Sequence, residues 1–451
     1  MEKLNIEKVA SFCDGEIILR GNEDNLDILE VSIDSRSVSS SSLFVPIIGD
    51  VHDGHKFMES AYENGCFNFL IDKNHEFYKD DINLIRVDDT RESFGKIAKG
   101  YRDGFDLSLI GITGSVGKTS CKDIIYSILN VRGNSIKTIG NLNNDIGMPK
   151  TLFTINKDTK YAVVEMGMDK KGEISYLSKL ASPDIGVITN IGMSHIEHFD
   201  NQEGIFDAKM EILDGLKDDG ILIVNGDDKF LKGLKDKDLD CKLITCGFDS
   251  CNDIYCSSYE ISSSGISFIC NYLDKDYSFF IPSIAKHNIL NALFGIVIGF
   301  IYGYSYEEIK EGLLQFELSS NRLDIINTSK YRIINDTYNA SYDSVISAVD
   351  VLNTFSGRKV AIIGDILELG KFSEEVHRNI GKNINLDVVI AIGNDAKYIY
   401  EESKKRICSY YYSSKEEFYN EMNNIIMDGD NILVKASNGM KFGDIVDKLK
   451  G

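Results

Sequence analysis

The stretch Ile112-Thr-Gly-Ser-Val-Gly-Lys-Thr-Ser120 constrains this chain more than any other. It follows the apolar run from Leu107 to Gly111 and precedes a helical pattern from Cys121 to Leu129. Strand, glycine loop, Lys-Thr and helix together form a cradle for a nucleoside triphosphate. Glycines let backbone N–H groups turn toward phosphate oxygens, and the helix N-terminus adds positive potential. Lys118 is expected to reach the terminal phosphates and Thr119 to offer its hydroxyl to Mg²⁺. Thr113, Gly114, Ser115, Gly117 and Ser120 complete the expected nucleotide-binding loop. The first glycine of the general pattern falls on Ile112, so the loop departs from it there. The competing reading is a glycine turn before a helix that happens to carry Lys-Thr.

A chain of 451 residues exceeds one domain and suggests about three. Boundaries are expected at residues 1–104, 105–318 and 319–451. The formal charge of −21 disfavours nucleic acid and anionic lipid as partners, so an anionic substrate must be met by local cations and metal. No apolar run approaches the ~20 residues of a membrane span, and the N-terminal residues lack signal-peptide character. A cytoplasmic protein without a membrane partner is the expectation. Nine cysteines, an odd number scattered through a large chain, read as reduced thiols. Cys241, Cys246, Cys251 and Cys256 recur every five residues. Such a step alternates faces on strands, so they are not expected to share a metal.

Apolar runs at Leu107–Thr113, Tyr161–Met166, Ile185–Ile191 and Gly220–Val224 alternate with helical patterns at Lys118–Val131, Glu173–Leu180 and Glu203–Leu216. That is a βαβ series with a mostly parallel sheet. Lys242–Ile281 reads as antiparallel β, and His287–Tyr302 as an apolar helix. Residues 319–451 alternate again, as a second doubly wound unit. The fold class is α/β, with substrates expected in clefts between domains.

Glu165 ends a strand expected to lie beside the phosphate-loop strand, a usual position for a carboxylate on Mg²⁺. The next strand runs into Gly192-Met-Ser-His195-Ile-Glu-His198. That spacing is not the zinc-hydrolase one, and His195 reads either as a Mg²⁺ ligand or as a hydrogen-bonded strand-end histidine. Spacing alone leaves Lys209 an ordinary helix lysine.

Thr113-Gly-Ser-Val-Gly-Lys-Thr-Ser120, Gly140-Asn-Leu-Asn-Asn-Asp-Ile-Gly-Met-Pro149, Glu165-Met-Gly167, Ile188-Thr-Asn-Ile-Gly-Met-Ser-His195 and Ala208-Lys-Met-Glu-Ile212 occur in this order. Together they resemble the ATP-dependent Mur ligase family of peptidoglycan synthesis, over essentially the whole chain. The resemblance implies three domains: a UDP-sugar-binding domain, a central P-loop parallel-sheet domain, and a C-terminal Rossmann-like domain for nucleotide and incoming dipeptide. Asp34-Ser-Arg36, Leu43-Phe-Val45 and Asp53-Gly-His55 resemble the first of these. Asn335-Asp-Thr-Tyr-Asn-Ala-Ser341 and Gly364-Asp-Ile-Leu-Glu-Leu-Gly370 resemble the branch that joins D-alanyl-D-alanine to a UDP-N-acetylmuramoyl-tripeptide.

The resemblance further implies catalytic roles for Lys118, Glu165, His195 and Lys209. Thr119 and Glu165 would hold one Mg²⁺, with His195 a ligand to a second. Lys209 would be carbamylated by CO₂ and act as an anionic oxygen ligand. Asn288 and Asn291 would lie near adenine, and Arg322, Asp336, Tyr338 and Asn339 against phosphate and ribose. Ser35, Arg36, Asn143 and Asn144 would contact the UDP-linked substrate. A monomer is the default. Departures from the family pattern are Ser341-Tyr342 in place of Asn-Pro, Ser39-Ser40 in place of Pro-Gly, Lys171 for a common proline, and Ala436 for glycine. The alternatives are a related ligase with another incoming group (D-Ala-D-Ser or D-Ala-D-lactate), a folate or tripeptide-forming relative, a non-catalytic UDP-sugar scaffold, or a P-loop switch.

Overall fold

The computed structural model describes every residue except 50, 318–320 and 451. The expected boundary at residue 318 lies outside the described residues. Beside a small antiparallel pair, Leu4–Asn5 with Asp27–Ile28, three larger sheets follow one another along the chain. The first comprises β1 (Glu16–Arg20), β2 (Glu30–Ser32), β3 (Ser42–Phe44), β4 (Asn68–Asp72) and β5 (Asn83–Val87), ordered β1-β5-β4-β3-β2. Only the β1–β5 pairing is antiparallel. The helix α1 (Thr90–Arg102), capped by the Asp89 carboxylate, leads out of it.

The central sheet has nine strands. These are β6 (Ser108–Thr113), β7 (Ser135–Lys137), β8 (Tyr161–Glu165), β9 (Ile185–Ile188), β10 (Ile221–Asn225), β11 (Lys242–Gly247), β12 (Ile254–Ser262), β13 (Gly265–Tyr272) and β14 (Lys275–Ile281). Their order is β14-β13-β12-β11-β10-β9-β6-β8-β7. The strands from β7 to β12 pair in parallel; β12, β13 and β14 form an antiparallel meander. The expectation for Lys242–Ile281 is therefore corrected at its start: β11 extends the parallel sheet, and the antiparallel part begins at β12. Residue pattern marks a strand but carries no record of its neighbour's direction.

Both faces are covered at the middle strands β6, β8 and β9, so these are largely apolar and their two faces sort by period two. Ile110 and Ile112 of β6 pack with α2 (Lys118–Leu129) and the long apolar helix α5 (His287–Ile301). Leu109, Val164 and Leu222 point the other way, into a core shared with α3 (Glu173–Ala181), α4 (Gln202–Met210) and α1. The register aligns the carboxyl ends: Glu165 lies opposite Ile112, and Ile188 opposite Thr113.

The third sheet contains β15 (Asp324–Asn327), β16 (Arg332–Asn335), β17 (Lys359–Gly364), β18 (Val388–Ile392), β19 (Cys408–Tyr412) and β20 (Asn431–Lys435), ordered β15-β16-β20-β17-β18-β19. All pairings are parallel except β15–β16. The helix α6 (Tyr342–Asn353) follows β16. Its N-cap is Ser341, whose side chain accepts from the Ser344 backbone N–H. Asn and Ser are near-equal caps, so Ser341-Tyr342 starts this helix without the proline usual in the family. Ala436 is 1% exposed and a Cβ added at Gly364 would come 2.7 Å from its own, so the methyl group occupies space that a glycine would leave empty. No helix among the described residues is long and apolar enough to cross a membrane. The four evenly spaced cysteines are separate free thiols of mixed burial.

Candidate active site

The carboxyl ends of β6, β8 and β9 open onto a cleft of about 1370 Å³. Its walls are supplied by Asp89, Arg91 and Glu92 from the first unit and by Arg322, Asp336, Tyr338, Asn339 and Lys435 from the third. Carboxyl ends of parallel strands are where α/β sheets leave loops and helix N-termini free for ligands.

The glycine loop between β6 and α2 is held by its own neighbours. Asn190 Oδ1 accepts from the N–H groups of Ser115 (3.0 Å) and Val116 (2.9 Å), and Thr189 Oγ1 donates to the Val116 carbonyl at 2.6 Å. Gly114 has φ 150° and Gly117 φ 84°. A Cβ on Gly114 would lie 1.9 Å from Thr189 Oγ1, so both geometry and space demand glycine there. The N–H groups of the first turn of α2 remain for an anion, since Gly117 caps it without a side chain.

Lys118 Nζ donates to the Gly114 carbonyl at 2.6 Å. Burial lowers its pKa; Glu165 opposes the shift and Arg322 adds to it. Thr119 Oγ1 donates to Glu165 Oε2 at 3.0 Å and accepts from Arg322 Nη2 at 2.9 Å. Asn143 Nδ2 donates to Glu165 Oε1 at 3.1 Å. A hydroxyl and a carboxylate oxygen therefore sit side by side where hard oxygen ligands are wanted, a donor pair that fits Mg²⁺.

Lys209 is 3% exposed, and no described residue gives its amine a hydrogen-bond or ion-pair partner. Burial, with Lys118 adding repulsion, drives its pKa well below the ordinary lysine value. Burial without a partner thus disfavours the charged form of this amine.

His195 adopts a left-handed backbone, φ 61° and ψ 21°. Its Nδ1 lies 2.7 Å from Glu368 Oε2 and 3.1 Å from Asp169 Oδ1. The Glu368 carboxyl is held below its usual pKa, first by the His195 imidazole beside it, against burial. Glu368 comes from the loop after β17, so this cluster joins the central and third units.

Asn288 and Asn291 are buried and linked, Asn291 Nδ2 donating to Asn288 Oδ1 at 2.9 Å. A Cβ on Gly117 would be 3.3 Å from Asn291 Oδ1, which places Asn291 directly against the glycine loop. The Arg322 guanidinium lies 3.8 Å over the Tyr338 ring. Lys435 Nζ, 1% exposed as a residue, donates to Asp336 Oδ2 at 2.5 Å and to the Asn339 carbonyl at 2.9 Å. Asn144 Oδ1 accepts from the Gly147 N–H at 2.8 Å, and Asn144 lines the cleft with Asn143.

Ser35 and Arg36 stand apart. Ser35 is buried, with its carbonyl accepting from Asn64 Nδ2, and Arg36 pairs with Asp34 on the surface of the first unit. Neither lines the cleft. Sequence reasoning missed Lys435, Asn190, Glu368 and His287. Lys435 did leave a signal: a lysine ending a strand whose five residues are all buried.

Three family models match: Mur ligase family, catalytic domain, over residues 27–102; Mur ligase middle domain over 112–299; and Mur ligase, glutamate ligase domain, over 321–438. The UDP-N-acetylmuramoyl-tripeptide–D-alanyl-D-alanine ligase of Bacillus subtilis (strain 168) is 36% identical, covering 100% of this chain and 99% of its own. The ligase of the same name from Buchnera aphidicola subsp. Baizongia pistaciae (strain Bp) is 37% identical, covering 100% and 98%. Crystal structure I of MurF from Acinetobacter baumannii superposes with a TM-score of 0.93 at 28% identity, covering 100% and 99%. With all three units matched in order and the likeness running end to end, this chain belongs to the Mur ligase family.

Proposed function

We propose that this protein is the ATP-dependent ligase that joins D-alanyl-D-alanine to UDP-N-acetylmuramoyl-tripeptide, yielding the pentapeptide precursor, ADP and phosphate. One observation carries the reading. The phosphate loop and the Thr119–Glu165 donor pair of the central unit share one cleft with Arg322, Asp336 and Lys435 of the third, and the buried Lys209 amine lies close enough to Lys118 to feel its charge.

The chemistry requires a carboxylate to attack a polyanionic phosphate. Lys118, Arg322 and the first-turn N–H groups of α2 supply the positive potential that lets two anions meet. Mg²⁺, when held by Thr119 and Glu165, would neutralise charge on the phosphates. The tripeptide carboxylate attacks the γ-phosphorus and ADP leaves, giving an acyl phosphate. The dipeptide amine then attacks the acyl carbon, and phosphate leaves as the amide forms. Acyl phosphates hydrolyse, so water must be kept out, and the His195–Glu368 contact between units is suited to holding the cleft closed.

Lys209 reacts with CO₂ as a neutral amine, forming the N–C bond and releasing a proton. A carbamate on Lys209, with His195, would supply ligands for a second cation. Asn288, Asn291, Tyr338 and Asn339 shape the nucleotide site, with Asn143 and Asn144 on the substrate side of Glu165. Ser35 and Arg36 serve the UDP end of a long substrate, in keeping with their distance from the cleft lining. The domain limits remain 1–104, 105–318 and 319–451, and the protein acts as a cytoplasmic monomer.

Phosphate release from ATP, Mg²⁺ and UDP-MurNAc-tripeptide, with and without D-Ala-D-Ala, tests the reading. Release that needs both substrates, with the pentapeptide mass present, is expected. Release only with D-Ala-D-Ser or D-Ala-D-lactate would move the specificity. No release with any dipeptide, despite UDP-substrate binding, would overturn the enzyme.

A further inference from the structure

The first unit carries a second cluster of chemically active side chains that takes no part in the cleft. The loop after β3 brings Asp53 and His55, and the loop after β4 brings His75. Asp53 Oδ1 lies 2.8 Å from His55 Nδ1, and Asp53 Oδ2 lies 3.0 Å from His75 Nε2. The three donor atoms fall within 4.8 Å of one another. The two imidazoles stack face to face, centroids 3.8 Å apart and planes within 3°.

Behind them sits Asp72, the last residue of β4, with 5% of its side chain exposed. Its Oδ1 is 2.9 Å from His75 Nδ1 and its Oδ2 is 3.8 Å from His55 Nε2. One carboxylate therefore faces the inner nitrogens of both rings while another faces the outer pair. The loop is firmly built. Asp53 Oδ1 also accepts from the His55 N–H at 2.9 Å, and Gly54 N–H donates to the Ile47 carbonyl at 3.0 Å. His55 is nearly sealed, with 4% of its side chain exposed, whereas Asp53 at 28% and His75 at 31% stay reachable from solvent.

We propose that Asp53, His55 and His75 form a binding site for one first-row divalent transition-metal ion of the Zn²⁺ type, with Asp72 as its outer carboxylate. Two imidazoles and one carboxylate suit Zn²⁺, Fe²⁺ or Ni²⁺ rather than Mg²⁺, which prefers oxygen alone. Donors bound about 2.0–2.2 Å from one Zn²⁺ sit about 3 Å apart, the spacing Asp53 already has to each histidine; the stacked rings must turn to aim both nitrogens at one ion. A carboxylate on the far nitrogen of a metal-bound histidine fixes ring orientation, and Asp72 makes that contact with His75. Partial exposure of Asp53 and His75 leaves an entry path and room for water to complete the coordination. The ion ties the loop after β3 to the loop after β4, so it acts as a clip on the first unit.

The test uses the full chain stripped of metal and titrated calorimetrically with ZnCl₂. His195→Gln serves as the background, so that uptake at the cleft histidine is not counted. The expected result is one Zn²⁺ bound in that background, and binding at least 100-fold weaker when His75→Gln is added. Asp53→Asn, a near-isosteric change, guards against misfolding and should weaken binding in the same direction. CoCl₂ should give visible ligand-field bands that His75→Gln removes, and Zn²⁺ should raise the thermal midpoint only where His75 is present. Equal Zn²⁺ uptake with and without His75, or no uptake by the His195→Gln protein, overturns the proposal.

Discussion

Lys435→Met isolates one buried contact and its consequence. In the native fold the Lys435 ammonium meets Asp336 at 2.5 Å and the Asn339 carbonyl at 2.9 Å, with 2% and 11% of the two charged side chains exposed. Methionine keeps the length of the side chain but strands the Asp336 carboxylate, whose other hydrogen-bond donor among the described residues is the Leu323 N–H at 3.3 Å. Removing one partner of a buried pair costs about 3–5 kcal/mol, because the remaining charge is neither solvated nor paired. For a unit of this size that lowers the unfolding midpoint by roughly 10 °C or more. Adding Asp336→Asn removes the stranded charge, and the double variant should recover to within about 1–2 kcal/mol of wild type. Urea unfolding of the full chain, with hydrogen exchange read at residues 332–335 and 431–435, reports the third unit specifically. A Lys435→Met protein within about 1 kcal/mol of wild type would refute the reasoning. So would a double variant no more stable than the single one, since the cost would then not come from an unpaired carboxylate.

Lys209→Ala is expected to fold and to lose nearly all ligase activity, with partial rescue by short carboxylic acids that place an oxygen anion where the carbamate would sit; wild-type activity in that variant would remove Lys209 from the mechanism. Gly114→Ala should abolish nucleotide binding, read by titration with ADP and Mg²⁺, because its Cβ would lie 1.9 Å from Thr189 Oγ1 and its φ of 150° is unsuited to a side chain. Burial, outweighing the pull of Asp336, holds His287 at a pKa of about 4. The folded protein therefore binds this proton less readily than the unfolded chain. Its contribution is intact above about pH 6.5 and is lost as pH falls toward 4, by at most about 3 kcal/mol. His287→Gln should narrow the gap between thermal midpoints at pH 7.5 and 4.5, and an unchanged gap would count against it.

Sequence alone carried the parts written in local pattern. The glycine loop, the strand end at Glu165 and the order of motifs needed only spacing and residue type, because phosphate cradles and buried parallel strands impose both on a short segment; His195 lies seven residues past the end of its strand at Ile188. Local pattern could not say that Lys242–Gly247 runs parallel to its neighbour, since pairing direction is set by where distant segments dock. Nor could it mark Lys209: the same helix lysine is ordinary in water, and its charged form is disfavoured once the cores of the central unit close over it. Asn190 holding the glycine loop, Lys435 under Asp336, Glu368 on His195, and His75 stacked on His55 all join residues from separate loops or strands. Desolvation and through-space contact create those properties, and both exist only after the chain has folded.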